Sequence, residues 1–388
     1  MEPPAGWCSQ APLPPAGRGW GWGQLPTRYA MTCPRGAVIG ILGGGQLGRM
    51  LSLAAARLGF RTHIYCPDPA SPAFEVTPHR TVAAYDDEAA LAAFAAAVDV
   101  ITYEFENVPA PTAEFLAGLK PLRPGARALA VSQDRLVEKS FIGGLGIPVA
   151  PHRAIRGAAD LAPALAALGT PGILKTTRLG YDGKGQRKVG SLAEAEAAFA
   201  ALAPHPLVYE AFVPFVREIS VVAARGLDGA VAAFDPAENV HRDGILATSS
   251  VPAAISAATA AAAQAHAAAI ATALDYVGVL GVEFFVLQDG KLCVNEIAPR
   301  VHNSGHWTES VCICDQFEQH IRALAAWPLG DPRRLADVVM ENLIGDAIAA
   351  IPAQLGPGIR PHAYGKAESR PGRKMGHLNR ISLKTPLK

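Results

Sequence analysis

Residues 37 to 66 read AVIGILGGGQLGRMLSLAAARLGFRTHIYC: an apolar run, a glycine turn, an alanine-rich stretch with helical spacing, then a second short apolar run. This is the pattern of a strand, a crossover helix and a parallel strand, so a parallel sheet covered by helices is expected. Strand and helix patterns keep alternating through VDVITYEFENVP, where a strand ends in Glu104, Glu106 and Asn107, and a further helix begins near Asp134. From residue 172 the pattern turns to short strands. GILKTT and QRKV bracket a glycine-rich loop, LVYEAFVPFVREISVVAAR alternates apolar and polar residues, and VEFFVL and LCVNEI flank Asp289-Gly290. Asp-Gly between two such runs is a strong signal for a two-residue hairpin loop.

Pairing outward from that loop sets Gln288 opposite Lys291, Leu287 opposite Leu292, and therefore Glu283 opposite Glu296, on the face of Phe285, Leu287, Leu292 and Val294. Like charges so placed destabilise an antiparallel ladder. At ~5 Å and an effective dielectric of ~20 the repulsion is on the order of 3 kcal/mol. A hard divalent cation held by both carboxylates would offset it. Two solvated glutamates at an open hairpin mouth, or a three-residue loop that shifts the register, are the competing readings.

The chain has 388 residues, enough for two or three domains with a sizeable core. Half of it is apolar, 18% is charged and the net charge is +1, which gives no electrostatic case for nucleic acid or an acidic membrane surface. Six cysteines show neither a CxxC pair nor zinc spacing, consistent with reduced thiols in a cytoplasm. The longest apolar stretches are diluted by alanine, glycine and proline and do not read as a membrane span. Residues 1 to 35 combine Trp7, Trp20 and Trp22 with glycine and proline, lack a signal-peptide pattern, and read as a disordered extension, with Met31 the expected natural start.

Gly43, Gly45 and Gly48 satisfy GxGxxG, and Asp68 follows about twenty residues after the last of them, as in dinucleotide-binding folds. The same glycines would serve any close strand-to-helix turn whose helix N-terminus faces a polar ligand, with Gln46 projecting into the crevice. In GILKTTRLGYDGKGQRKVG a strand delivers Lys175 to a loop containing Gly180, Gly183 and Gly185. Such a loop can cradle phosphate beside the lysine. No Walker motif is present, and an exposed basic hairpin is the plain alternative. Glu210 and Glu218, taken singly, are equally well surface charges.

As an ordered set, the strand lysine, the GYDGKGQ loop, EAFV, Glu218 and the paired hairpin glutamates resemble the ATP-grasp superfamily. GGGQLGRM, SQDRLVEK, GYDGKGQ, AENVHRDGIL, NEIAPRVHNSGHWT and RPGRKMGH are similar to the ATP-dependent 5-(carboxyamino)imidazole ribonucleotide synthases of purine biosynthesis, over about residues 36 to 380. The resemblance implies a mixed α/β and α+β fold: a Rossmann-like domain over 36–132 that binds no NAD, an ATP-grasp domain over 133–328 with a lid at about 150–212, and a small β-rich domain over 329–388. It implies that Arg135 and Lys175 contact ATP phosphates while Gly180, Tyr181, Asp182, Gly183, Lys184, Gly185 and Gln186 fold over them. Glu210, Ala211, Phe212 and Val213 would meet adenine, Glu218 the ribose and His241 the nucleotide site. Glu283 and Glu296 would hold Mg2+ with Asn295 beside them, although strict alternation sends Asn295 to the other face.

For the second substrate, Arg300, His302, Asn303, Ser304, Lys366 and Arg373 suit a ribose phosphate. Tyr181 and Asp182 would face the aminoimidazole, Asp182 as proton acceptor from the amine, with Gln46 and Glu104 reaching in from the first domain. His306 and Trp307 either join them or simply pack. Lys175, Tyr181, Asp182 and Arg300 are thus the expected catalytic group. The implied reaction joins 5-aminoimidazole ribonucleotide to bicarbonate at the expense of ATP. Members of this family are commonly dimers, so a cytoplasmic homodimer is expected. After RPGRKMGHLN only RISLKTPLK remains, shorter than in some relatives. Another ATP-grasp ligase and a dinucleotide-dependent oxidoreductase are the alternatives.

Overall fold

The structure, a computed structural model, describes residues 32–180 and 183–382. Residues 1–31 of the expected disordered extension, the start at Met31 included, and the substrate residues Tyr181 and Asp182 lie outside the described residues, whereas Cys33, within the expected extension, donates its N–H to Ala325 O at 3.1 Å. Three sheets organise the rest. The first is parallel, with β1 (Val38–Leu42), β2 (Arg61–Tyr65), β3 (His79–Thr81) and β4 (Val100–Tyr103) in the order β3-β2-β1-β4. The helix Gln46–Arg57 crosses between β1 and β2, as the apolar periodicity requires. The second sheet is antiparallel, with β5 (His152–Ile155), β6 (Gly172–Thr176), β7 (Gln186–Val189) and β8 (Leu207–Ala211) in the order β5-β8-β6-β7. It closes over its own small core of Ile155, Leu161, Leu174, Val189, Leu207 and Tyr209.

The third sheet carries β9 (Phe215–Arg225), β10 (Val231–Ala233), β11 (Ala237–Arg242), β12 (Ile245–Val251), β13 (Gly278–Leu287), β14 (Leu292–Ala298), β15 (Asp337–Ile344), β16 (Ile359–Ala363) and β17 (Lys374–Ser382). Its order is β14-β13-β9-β11-β12-β15-β17-β16, with β10 beside β9. The C-terminal strands expected as a small domain therefore continue the central sheet through the β12–β15 ladder. One face is covered by the alanine-rich helix Ala257–Ala273, whose N-terminus is capped by Ser256 Oγ accepting from Thr259 N–H. The other packs Val222, Val279, Trp307 and Phe317 against Ile39, Leu51 and Ile64 of the first unit, one continuous core across both.

The β13–β14 hairpin departs from the expected ladder twice. The loop has three residues: Leu287 N–H donates to Lys291 O at 2.9 Å, and Gly290 takes the left-handed conformation at φ 79°. Val286 consequently pairs with Leu292, one position off the expected register. A bulge at Asn295 then adds a residue to β14 and restores the pairing of Glu283 with Glu296. The two shifts cancel at the glutamates but not between them. Leu292 and Val294 lie in the core with Phe284 and Val286, not on the glutamate face. Asn295, which alternation sent away, comes to the Glu283 side, its Nδ2 lying 3.4 Å from Glu283 Oε2.

Candidate active site

A cleft of about 1150 Å³ opens where the three sheets meet. Gly45, Gln46 and Glu104 line it from the first unit, Lys175, Gly180, Gly183, Lys184, Gln186 and Glu210 to Val213 from the second, and Glu218, His241, Glu283, Asn295, Glu296, Arg300, His302 and Asn303 from the third. Lys366 and Arg373 reach it from the β16–β17 connection, and Arg135 from the helix Arg135–Gly144, whose N-terminus is fixed by Asp134 Oδ1 accepting from Leu136 and Val137 N–H. Of the described expected residues, Gly185 and Ser304 do not line it. Gly185 turns the loop backbone, with φ 71°, and its O accepts from Thr176 N–H. Ser304 is fully buried, its Oγ 2.6 Å from Ser220 Oγ and 2.7 Å from His302 Nδ1, so it orients His302 rather than meeting a ligand. His306 and Trp307 are packed inside.

Phosphate chemistry is written into the floor. Glu210 is buried between Lys175 Nζ at 2.9 Å and Lys139 Nζ at 3.2 Å. Burial alone would raise this carboxyl, but the two lysines hold it down at about 2. One carboxylate is thus shared by two lysines, and Arg135 nearby pairs with Glu296. Burial first, and then Arg135 and Lys139, lower the proton affinity of Lys175 against the pull of Glu210, the mark of a floor crowded with cations. The Glu210 side chain thus serves the lysines, and only the segment that follows it faces the nucleotide end. There Phe215 stacks on Phe285 with ring centroids 4.6 Å apart, and Lys188 lies over Phe212. Glu218 accepts from His241 Nδ1, and this contact raises the imidazole's affinity for its proton against the opposing effect of burial.

The paired carboxylates sit between these cations and the far end of the cleft. Arg135 Nη1 lies 2.9 Å from Glu296 Oε2, and His302 Nε2 lies 3.4 Å from Glu283 Oε1. Burial, then the charge of Glu296, pushes Glu283 up to about 7. Burial is the larger cause and the facing carboxylate the second, and a cation between the two would relieve both. Asn295 turns its Nδ2 toward Glu283 at 3.4 Å, so the oxygen donors that face each other here are the two carboxylates. Beyond them Arg300 is clamped by Glu106, and Lys366, Arg370, Arg373 and Lys374 surround a basic end fit for a phosphate.

The glycine fingerprint is already filled. Glu104 Oε1 accepts from Gly45 N–H at 2.8 Å, and a Cβ at Gly43 would meet that oxygen at 2.6 Å. The helix N-terminus that would take a pyrophosphate is occupied by the chain's own carboxylate.

Three family models match in succession: the ribonucleotide synthetase preATP-grasp domain over residues 37–133, the ATP-grasp domain over 140–317, and the phosphoribosylaminoimidazole carboxylase C-terminal domain over 338–385. The N5-carboxyaminoimidazole ribonucleotide synthase of Brucella melitensis is 58% identical over 353 residues, which cover 90% of this chain and 98% of that protein. The chain belongs to the N5-carboxyaminoimidazole ribonucleotide synthase family. The family's enzyme from Pseudomonas aeruginosa is 43% identical over 339 residues, 87% of this chain and 93% of that one. Among solved structures, the synthetase from Thermus thermophilus superposes with a TM-score of 0.84 at 46% identity, covering 89% of this chain and 93% of that one. The synthase from Aspergillus clavatus in complex with ADP and 5-aminoimidazole ribonucleotide superposes with a TM-score of 0.83 at 32% identity, covering 90% and 94%.

Sequence reasoning did not single out Arg370, Lys374, Phe215 and Phe285, which line the cleft, or Lys139 and Glu138 behind it. In the sequence Lys139 and Glu138 stood inside the SQDRLVEK motif with no role assigned to either. Their burial, with Glu138 Oε1 accepting from Ile297 N–H at 2.7 Å beside Glu296, is a tertiary fact.

Proposed function

We propose that this chain carboxylates 5-aminoimidazole ribonucleotide, converting it with ATP and bicarbonate to 5-(carboxyamino)imidazole ribonucleotide, ADP and phosphate in purine biosynthesis. The observation that carries the reading is the convergence, in one cleft, of a cationic phosphate floor, a paired-carboxylate cation site and a second basic end. Adenine lies along Ala211 to Val213 beside the stacked phenylalanines, and the ribose hydroxyls meet Glu218. Lys175 and Arg135 neutralise the phosphates while the loop from Gly180 to Gln186 closes over them. Mg2+ held by Glu283 and Glu296, with Asn295 beside them, would supply charge neutralisation to the transferring phosphoryl group. Arg300, His302, Lys366 and Arg373 hold the ribotide, and Asn303 braces that end.

Bicarbonate is a poor electrophile. Transfer of the γ-phosphoryl to one of its oxygens breaks the bond to ADP and gives carboxyphosphate. The exocyclic amine then forms the new C–N bond, directly or through released carbon dioxide, while phosphate leaves and the amine loses a proton. Asp182 is our proposed acceptor, and Tyr181 its neighbour over the imidazole. The protein's own contribution is position, charge and exclusion of water, without a covalent enzyme intermediate.

We retain 36–132, 133–328 and 329–388 as the proposed division of labour, and a cytoplasmic homodimer as the proposed assembly. Among the described residues five cysteines are free thiols, and no helix is long and apolar enough to cross a membrane. Phosphate release from ATP, measured with 5-aminoimidazole ribonucleotide and bicarbonate each present or omitted, tests the reading. Release that needs both is expected. Release indifferent to the ribotide, or driven by a different purine intermediate, would assign the chain to another ATP-grasp ligase. Tight NADH binding without ATP binding would restore the oxidoreductase alternative.

A further inference from the structure

We propose that Glu309, His362 and His377 form a second metal site, for a borderline transition cation of the Zn2+ class, that staples the helix Thr308–Val311 to the β16–β17 hairpin. None of the three lines the cleft. Their ligand atoms all lie within 4.8 Å of one another, with Glu309 Oε2 3.6 Å from His362 Nδ1. His362 and His377 are direct cross-strand partners, their rings stacked 4.4 Å apart at 10°.

Two orphaned atoms point to a ligand. Glu309 Oε2 and His377 Nε2 are both buried without a hydrogen-bond partner, and the His377 side chain is wholly inside. Leaving such groups unpaired is costly unless something completes them. The other nitrogen of His377 is committed: Nδ1 lies 2.9 Å from Tyr364 Oη. In the tautomer whose Nδ1–H donates to Tyr364, Nε2 carries the lone pair that a metal would meet, the arrangement in which an outer hydrogen bond orients a metal-binding histidine. His306 stacks 5.0 Å from His377 but is kept out of the ligand set. The Gln316 side chain accepts from His302 N–H through Oε1 and so turns its amide N–H toward His306 Nδ1 at 3.0 Å, which leaves the proton on Nε2.

Two imidazoles and one carboxylate favour zinc-like ions over magnesium, and a water completes four-coordination. A common ion at about 2.1 Å needs the donors about 3.4 Å apart, a contraction that side-chain torsions of the partly exposed Glu309 and His362 supply. The hairpin so fixed carries Lys366, Arg370 and Arg373 to the cleft, and the helix follows directly on the segment holding His302 and Asn303. Metal binding would therefore stiffen both walls of the basic end.

The test uses the full chain stripped with EDTA and then saturated with Mg-ADP, so that Glu283 and Glu296 are occupied. Co2+ or Zn2+ is added, excess is removed by gel filtration, and bound metal is counted. One equivalent of Zn2+ per chain is expected, with the visible d–d bands of four-coordinate Co2+ and a rise in Tm. His362→Gln and Glu309→Gln, both at partly exposed positions, should each lose the bound metal and the rise. Tyr364→Phe should weaken binding by about 10- to 100-fold. Absence of bound Zn2+ in the wild-type chain overturns the proposal, as does retention unchanged in His362→Gln and Glu309→Gln.

Discussion

Glu283 shows how one buried carboxyl can report on a cation. Burial and Glu296 raise it to about 7, against about 4.3 for an exposed glutamate. Its stabilising protonated form is complete below about 4.3 and is lost as pH rises through 7, so the unliganded protein gives up stability across that window. A cation must displace the same proton. We expect the Mg2+ concentration giving half-maximal phosphate release to fall as pH rises from about 6 to about 8. Glu283→Gln should abolish this dependence and cost on the order of 10² in turnover. A Mg2+ requirement independent of pH in the wild type would refute the assignment.

Lys139 makes a second argument at this scale. It is buried against Glu210, and Lys139→Met leaves that carboxylate with Lys175 alone. A loss of about 1–3 kcal/mol is expected by urea denaturation, because Glu210 Oε1 loses its ion-pair partner while Lys175 still holds Oε2.

At the scale of elements, the glycine turn and the β13–β14 hairpin decide the chemistry. The fingerprint glycines answer to close packing: a Cβ at Gly48 would stand 2.8 Å from Gly43 O, a backbone atom that cannot step aside. Gly48→Ala should cost about 1–3 kcal/mol in thermal unfolding without creating or removing any NADH affinity. An unchanged Tm would show that the turn has more room than this geometry allows. The hairpin was legible as a hairpin, and its glutamate pairing was legible too, but through two shifts that offset one another: the three-residue loop held as a competing reading and a bulge that was not foreseen. Loop length and the bulge at Asn295 depend on the strand's fit to β9 and to the helices behind it, which a local pattern does not contain. For the same reason alternation misplaced Asn295.

The whole molecule divides by its cores rather than by its motifs. The first unit and the central sheet share one core, whereas the β5–β8 sheet packs on a separate, smaller one. Amides of residues 152–211 should therefore exchange faster than those of β9 and β13, and ATP should slow them, since a ligand held by Lys175 and Glu283 joins the two. Hydrogen exchange read by mass spectrometry checks this. Equal protection with and without ATP would show that the lid sheet is already fixed.

The sequence by itself determined the strand and helix order, the glycine loop that follows Lys175, and the residue types of a nucleotide site, because these are properties of local period and chemistry. It also carried the family, through motifs that stay contiguous along the chain. Only the tertiary structure decided that Glu104 plugs its own glycine turn, that Ser304 lies beneath His302, that Lys139 shares Glu210, and that the last strands extend the central sheet. Each of these depends on which distant side chain fills a given volume, and burial converts an ordinary charge into a site only after the chain has closed around it.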